Sequence, residues 1–198
     1  SGLHNFLVSI GAVKRSKKAK SSKAPSQNQT PATNVTNPTP TDSKSLVVYF
    51  SMSGQTQRAA EEIQRLTNSN IFRIQAADPY PTTYDSYAQR GDNERRNNIH
   101  PAIRGTILNW DQYSTIYVGF PTWWQQPPMI IHTLFDQYNF SGKTIVPFTT
   151  SMSTPMSASM PYIRQMAAPY NATVLNGYRY TGDNAGLRTW LQGLNLIK

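Results

Sequence analysis

Leu46-Val-Val-Tyr-Phe50 is a continuous apolar run of strand-forming residues, the pattern of a strand buried on both faces. The period then changes. Ala59, Ala60, Ile63 and Leu66 recur at helical spacing and predict a helix over residues 56–66. Ile71-Phe-Arg-Ile74 reads as a second, partly exposed strand, and Ile116-Tyr-Val-Gly-Phe120 as a third that is almost wholly apolar. Pro127 and Pro128 suit the first turn of a helix running through His132 to Tyr138. After a turn at Ser141-Gly142, Lys143-Thr-Ile-Val-Pro-Phe148 predicts a fourth strand. Pro147 has no N–H for a ladder, so that strand is expected to end or bulge there. A short helix over 160–168, a strand over 173–178 and a closing helix over 184–194 complete the pattern.

Apolar strands alternating with amphipathic helices predict an open, mostly parallel α/β sheet covered by helices on both faces. Ligands of such sheets lie beyond the carboxyl ends of the strands, where the strand order reverses. Three loops occupy those ends: residues 51–56, 121–126 and 149–154.

Ser51-Met-Ser-Gly-Gln-Thr56 joins a buried strand to a helix N-terminus, where the first amides lack internal partners and the helix dipole favours an anion. Ser51, Ser53 and Thr56 add hydroxyls, and Gly54 permits the backbone to wrap an anion. The loop carries no Lys or Arg, so a phosphate would be held by neutral donors, unlike in a Walker-type loop. Ser and Thr acting as ordinary helix caps is the competing reading. In Pro121-Thr-Trp-Trp-Gln-Gln126 one indole is expected to pack beneath the loop while the other walls a flat ligand; the alternative is that both rings only pack. Thr149-Thr-Ser-Met-Ser-Thr154 offers hydroxyls and amides suited to a heterocycle edge, or is simply a solvated loop.

Charge divides the chain. Residues 1–44 hold seven basic residues and one acidic one, so +6 of the net +9 lies there and residues 45–198 carry +3. Between residues 21 and 45 the only apolar side chains are Ala24, Ala32 and Val35, too few to offset the entropy of ordering, so a flexible linker is expected. Upstream, Leu3, Phe6, Leu7, Ile10 and Val13 fall at helical spacing before a Lys/Arg-rich run. Such a segment suits an anionic membrane surface; an unstructured remnant of an export segment or tag is the plainer reading. The chain has no Cys, which removes disulfides, thiolate metal sites and Cys nucleophiles, and its three His are far apart in sequence. No apolar run approaches the ~20 residues of a spanning helix.

Tyr49-Phe-Ser-Met-Ser-Gly-Gln-Thr56, Val118-Gly-Phe-Pro-Thr-Trp-Trp124 and Phe140-Ser-Gly-Lys-Thr-Ile-Val-Pro-Phe-Thr-Thr-Ser151 together resemble the flavodoxin family, most closely its bacterial flavodoxin-like branch. A Tyr-rich insert (Tyr80-Pro-Thr-Thr-Tyr-Asp-Ser-Tyr87) leading to Asn93-Glu-Arg-Arg96, and a terminal helix with Trp190, look like the same branch. The resemblance covers residues 45–198 and leaves residues 1–44 as a basic tail and linker. It implies a three-layer sandwich: a five-stranded parallel sheet of order 2-1-3-4-5 with helices on both faces. It also implies FMN bound without covalent linkage. The phosphate would lie in the first loop, on Ser51, Met52, Ser53, Gly54, Gln55 and Thr56. The isoalloxazine would sit between Pro121, Thr122, Trp123 and Trp124 and the third loop's Thr149, Thr150, Ser151, Met152 and Ser153. The chain departs from the family pattern at Gln125, where relatives usually carry Gly, and at a third loop without Gly. Left-handed backbone at Met152 and Thr154 would be strained, so that loop is expected to be strained or to take another path.

The resemblance implies a redox protein, acting either as an electron carrier docking on a partner protein or as a small NAD(P)H-dependent oxidoreductase with a small-molecule acceptor. The alternative is a flavin-free module of a tethered surface protein. The tail offers a route to membrane or cell-surface association. Neither His100 nor His132 is placed to activate a Ser nucleophile. The Lys14–Lys23 run lacks interleaved aromatics, so nucleic-acid binding is not expected.

Overall fold

A computed structural model describes residues 43–198. The readings made for the amphipathic segment, the basic run and nearly all of the linker lie outside the described residues.

β1 (Ser45–Tyr49) is followed by α1 (Gln55–Thr67), β2 (Asn70–Arg73), α2 (Tyr84–Arg96), β3 (Thr115–Pro121) and α3 (Met129–Gln137). β4 (Thr144–Thr150), α4 (Met160–Ala167), β5 (Thr173–Val174), β6 (Tyr178–Tyr180) and α5 (Asn184–Gly193) complete the chain. The sheet runs β2-β1-β3-β4, with β5 and β6 both pairing β4, and every pairing is parallel.

The uninterrupted apolar run of β1 follows from burial on both faces. Leu46, Val48 and Phe50 join one core with Ile130 and Leu134 of α3 and Ile163 of α4. Val47 and Tyr49 point the other way, onto Ala59, Ala60 and Ile63 of α1 and Leu187 and Leu191 of α5. Alternate side chains of one strand thereby supply both cores. α1 ends where its pattern stops: Asn68 turns left-handed (φ 52°) and its N–H caps the Gln64 carbonyl.

Two expectations about the last strands are corrected. β4 does not end at Pro147 but runs on to Thr150, with Pro147 opposite Val118. The Ile145 carbonyl accepts from the Leu175 N–H, so Ile145 and, two residues on, Pro147 turn their backbone groups toward the sheet edge. There the missing donor falls opposite Asn176-Gly177, where the edge is interrupted between β5 and β6. The single strand expected over 173–178 is accordingly two short ones, β5 and β6, on either side of that break.

Candidate functional site

The three loops meet at the carboxyl edge of β1, β3 and β4. Two hydroxyl pairs join their roots: Thr56 Oγ1 to Thr150 Oγ1 at 2.7 Å, and Thr122 Oγ1 to Thr149 Oγ1 at 2.7 Å. Thr149 Oγ1 also reaches the Phe120 carbonyl (2.8 Å), and the Thr122 amide donates to the Thr150 carbonyl (2.9 Å). Thr149 and Thr150 therefore belong to the end of β4, and the free third loop begins at Ser151.

In the first loop Gly54 has φ 91° and caps α1, a left-handed conformation that costs Gly little. Ser51 is buried, and its Oγ accepts from the amides of Gly54 (3.2 Å) and Gln57 (3.4 Å). The hydroxyls of Ser51 and Thr56 thus have partners inside the protein. Ser53 and Gln55 are exposed, and their amides and that of Thr56 have no acceptor among the described residues. These donors are what the loop presents to an anion.

In the second loop the two indoles divide their work. Trp123 packs edge-on to Phe50 (5.4 Å) and Tyr80 (5.5 Å) and stacks on Tyr87 (5.5 Å, 18° between planes). Gly91 lets it lie on α2, since a Cβ there would come 2.9 Å from the Trp123 ring. Trp124 is 54% exposed, with its Nε1 donating to the Ala88 carbonyl (3.2 Å) and the Arg95 guanidinium 6.0 Å from its ring centre. Tyr84, Tyr87, Thr122 and both indoles wall a hollow of about 170 Å³. Burial pushes the Tyr87 phenol up, with Tyr84 adding to the shift.

The turn carrying Trp124 is closed by reciprocal Trp123–Gln126 backbone bonds (3.0 and 3.1 Å), with Trp124 at φ 52° and Gln125 at φ 61°. Two positive φ values at the central positions make it a type I′ turn, the geometry that favours Asn-Gly. The departure at Gln125 thus leaves the backbone in the conformation a Gly would adopt. The expected strain in the third loop is absent: neither Met152 nor Thr154 has positive φ. That loop takes its own path, with Ser151 Oγ donating to the Thr154 carbonyl (2.5 Å) and Met152 almost fully exposed.

Four residues that the sequence does not assign to the loops complete the site. Arg73, at the end of β2, donates to the Ser51 carbonyl (3.1 Å) and Gln57 Oε1 (3.2 Å). Arg179 of β6, in register with Thr149, holds the third loop through Ser151 Oγ (2.9 Å), the Ser151 carbonyl (3.1 Å) and the Met152 carbonyl (2.6 Å). Tyr84 and Tyr87 supply aromatic wall. A loop without basic residues of its own is therefore braced by an arginine from the neighbouring strand. His100 and His132 sit apart on the helical layer with their rings 5.0 Å apart, His100 Nδ1 lying 2.5 Å from Asp136 Oδ2. Among the described residues no cluster suited to a metal ion occurs, and no helix is long and apolar enough to cross a membrane.

A parallel sheet in this order, with its loops gathered at the β1/β3 reversal, defines a doubly wound α/β protein, whose topological switch is where such sheets bind ligands. The chain belongs to the flavodoxin family: the family model described as Flavodoxin matches residues 44–192. The structure of a flavoprotein from Bacteroides uniformis is 30% identical, with TM-score 0.68 over 75% of this chain and 97% of that one. A second such protein, from Bacteroides eggerthii, is 29% identical, with TM-score 0.69 over 78% of this chain and 99% of that one. A Lactobacillus acidophilus flavoprotein solved in complex with FMN shares the fold at 24% identity, with TM-score 0.63 over 74% of this chain and 97% of its own. No curated protein matches the sequence.

Proposed function

We propose that this flavodoxin-family protein is a redox protein working through FMN, and that its first and second loops hold the cofactor. The observation that carries the reading is the set of amides at Ser53, Gln55 and Thr56 around Gly54, at the N-terminus of α1, that have no acceptor among the described residues. Donors fixed by the fold and unused inside it suit a phosphate monoester. Arg73 adds a positive charge behind the loop. The residues fit the rest of a flavin as well: an exposed indole at Trp124, a hollow lined by Tyr84 and Tyr87, and the polar end of β4. FMN bound there would supply electron transfer singly or as a hydride pair.

The chain's own residues bind, orient and exclude water. Ser53 and the free amides would anchor the phosphate. Trp124 would lie against the ring, held by its bond to Ala88 and by a turn that keeps its backbone left-handed. Backbone strain of this kind persists where the surroundings impose it and recurs at functional sites. Arg179 would keep the Ser151–Met152 carbonyls in place at the ring edge. A domain charge of +3 and an exposed aromatic hollow favour reduction of a small planar acceptor over docking on a basic partner protein.

Titration of the full chain with FMN, read by flavin fluorescence, tests the reading, with riboflavin as the phosphate-free control. Strong quenching by the protein with FMN and much weaker binding of riboflavin is the expected result. A folded protein that leaves FMN fluorescence unchanged would refute it. NAD(P)H oxidation by the FMN-loaded chain, with a quinone or dye as acceptor, separates an oxidoreductase from an electron carrier.

A further inference from the structure

A second pocket, of about 180 Å³, opens on the β2 side of the first loop. Of that loop only Ser51 and Met52 border it; Ser53, Gly54, Gln55 and Thr56 do not. Its apolar lining comes from the buried Phe50, Ile74, Ala76 and Tyr80, with Met52 and the exposed Pro79 at its border. The Tyr80 ring is fixed before any ligand arrives: its hydroxyl donates to Glu94 Oε2 (2.7 Å), and the Arg90 guanidinium lies 4.0 Å from its centre.

Two exposed guanidinium groups, Arg73 and Arg104, line the same pocket. Elsewhere Arg65, Arg90, Arg95 and Arg96 are paired with carboxylates. Among the described residues neither Arg73 nor Arg104 is paired with a carboxylate, which is also true of Arg58, Arg164, Arg179 and Arg188. Arg73 is held by the Ser51 carbonyl and Gln57. Among the described residues Arg104 is held through its backbone, its amide donating to the Gln75 carbonyl (2.7 Å) beside the Ala76–Ile103 bridge. The pocket therefore combines a rigid apolar lining with two uncompensated cations on separate segments, each brought to it by backbone pairing.

We propose that this pocket is a second anion site, distinct from the phosphate loop, and that it takes a planar organic anion: one flat ring carrying, directly or through a sugar, a phosphate or carboxylate. The ring would rest on Phe50 and Tyr80 while the charged group meets Arg73 and Arg104, whose planar donor forks match both anions. A cavity of this size holds one ring system and not a whole dinucleotide. The source is either the adenylate end of a nucleotide or a free aromatic acid.

The test is calorimetric titration of the full chain, preloaded with FMN, with AMP and separately with benzoate, using inorganic phosphate as the control. The expected result is saturable binding of AMP or benzoate that is tighter than phosphate. Arg104→Ala should weaken it about tenfold or more, with FMN quenching unchanged. Arg104→Gln, which keeps donors but loses charge, should weaken it as well. AMP binding without benzoate binding identifies a nucleotide source, and the reverse identifies an aromatic acid. The proposal is overturned if neither probe binds the folded chain at millimolar concentration, if phosphate alone binds as tightly as both, or if Arg104→Ala binds unchanged. AMP binding that is seen only in the FMN-free chain and is lost on loading with FMN would also overturn it, since the anion would then occupy the phosphate loop. A chain that binds AMP through Arg104 but takes up no FMN would refute the flavin reading and leave this site standing.

Discussion

Replacing Gln125 by Gly should make the protein more stable and its flavin site weaker. Trp124 (φ 52°) and Gln125 (φ 61°) are adjacent side-chain-bearing residues in left-handed backbone. Each such residue costs about 1–2 kcal/mol relative to right-handed backbone. Gly at 125 removes that cost at one position. It also gives the unfolded chain more freedom, a penalty of about 0.4–1 kcal/mol. The net is a gain of about 0.5–1 kcal/mol, which for a chain of this size raises Tm by about 1–4 °C. Gln125→Ala keeps the strain and should not raise Tm.

The functional half of the prediction has the opposite sign. The turn presents Trp124, and a flexible residue beside it lets the indole leave the position where its Nε1 reaches Ala88. FMN affinity should fall in Gln125→Gly even as thermal stability rises. Melting curves from tryptophan fluorescence and FMN quenching titrations of both variants are the assays. A Gln125→Gly protein that melts at or below the parent temperature would refute the strain argument. One that melts higher and binds FMN equally well would refute the role given to the turn.

Further outcomes follow from individual contacts. Thr56→Val leaves the buried Thr150 hydroxyl without its 2.7 Å partner and should cost about 1–3 kcal/mol in denaturant unfolding, with Thr56→Ser close to the parent. A Cβ at Gly119 would lie 2.1 Å from the Phe148 ring. Gly119→Ala should therefore destabilise by about 1–3 kcal/mol or more through overpacking, and Phe148→Leu in the same chain should recover part of the loss. His132 is held below its usual pKa of 6.5, chiefly by burial and then by His100, with Asp136 opposing. The unfolded chain therefore binds this proton more readily than the folded one, so stability is full above about pH 6.5 and declines as pH falls below it. His132→Gln should flatten that limb of a stability–pH curve measured by urea unfolding.

Much of the fold was legible because burial on both faces leaves a plain signature. The β1 run, the helical spacing of Ala59, Ala60 and Ile63, and the two-proline start before α3 all survive in the structure. Pro147 sits inside β4 for a reason its residue type does not reveal. Sequence records that the donor is missing, but not that this residue faces the interrupted edge of the sheet. The same break divided one expected strand into β5 and β6. In the site, the loops could be read because strand ends are marked by a change from apolar to hydroxyl-bearing residues. Arg73 and Arg179 could not, because each acts on a loop that sequence separates from it by 22 and 28 positions. Tyr84 and Tyr87 were visible as a Tyr-rich insert, yet their meeting with Trp123 depends on how α2 lies against the second loop. The turn at Trp124–Gln125 gave no local sign, since neither residue favours the backbone it adopts.

The braces on the loops bear on how the site works. A ligand that must order three mobile loops gives up affinity for each side chain it immobilises, about 0.5–1.5 kcal/mol apiece. Here the cost is met in folding. Thr56–Thr150 ties the first loop to β4, Thr122–Thr149 ties the second to the same strand, and Arg73 and Arg179 fix the backbone on either side. Trp123 is locked in an aromatic cluster and Trp124 is tied to Ala88, so the exposed side chains left for a ligand to order are Ser53, Gln55 and Met152. Because the two threonines of β4 serve both other loops, a disturbance at one loop root reaches the others through a single strand end. The effect of Thr56→Val on ring binding at Trp124, some distance from the mutated hydroxyl, therefore measures whether the three loops act as one preformed site or as three independent ones.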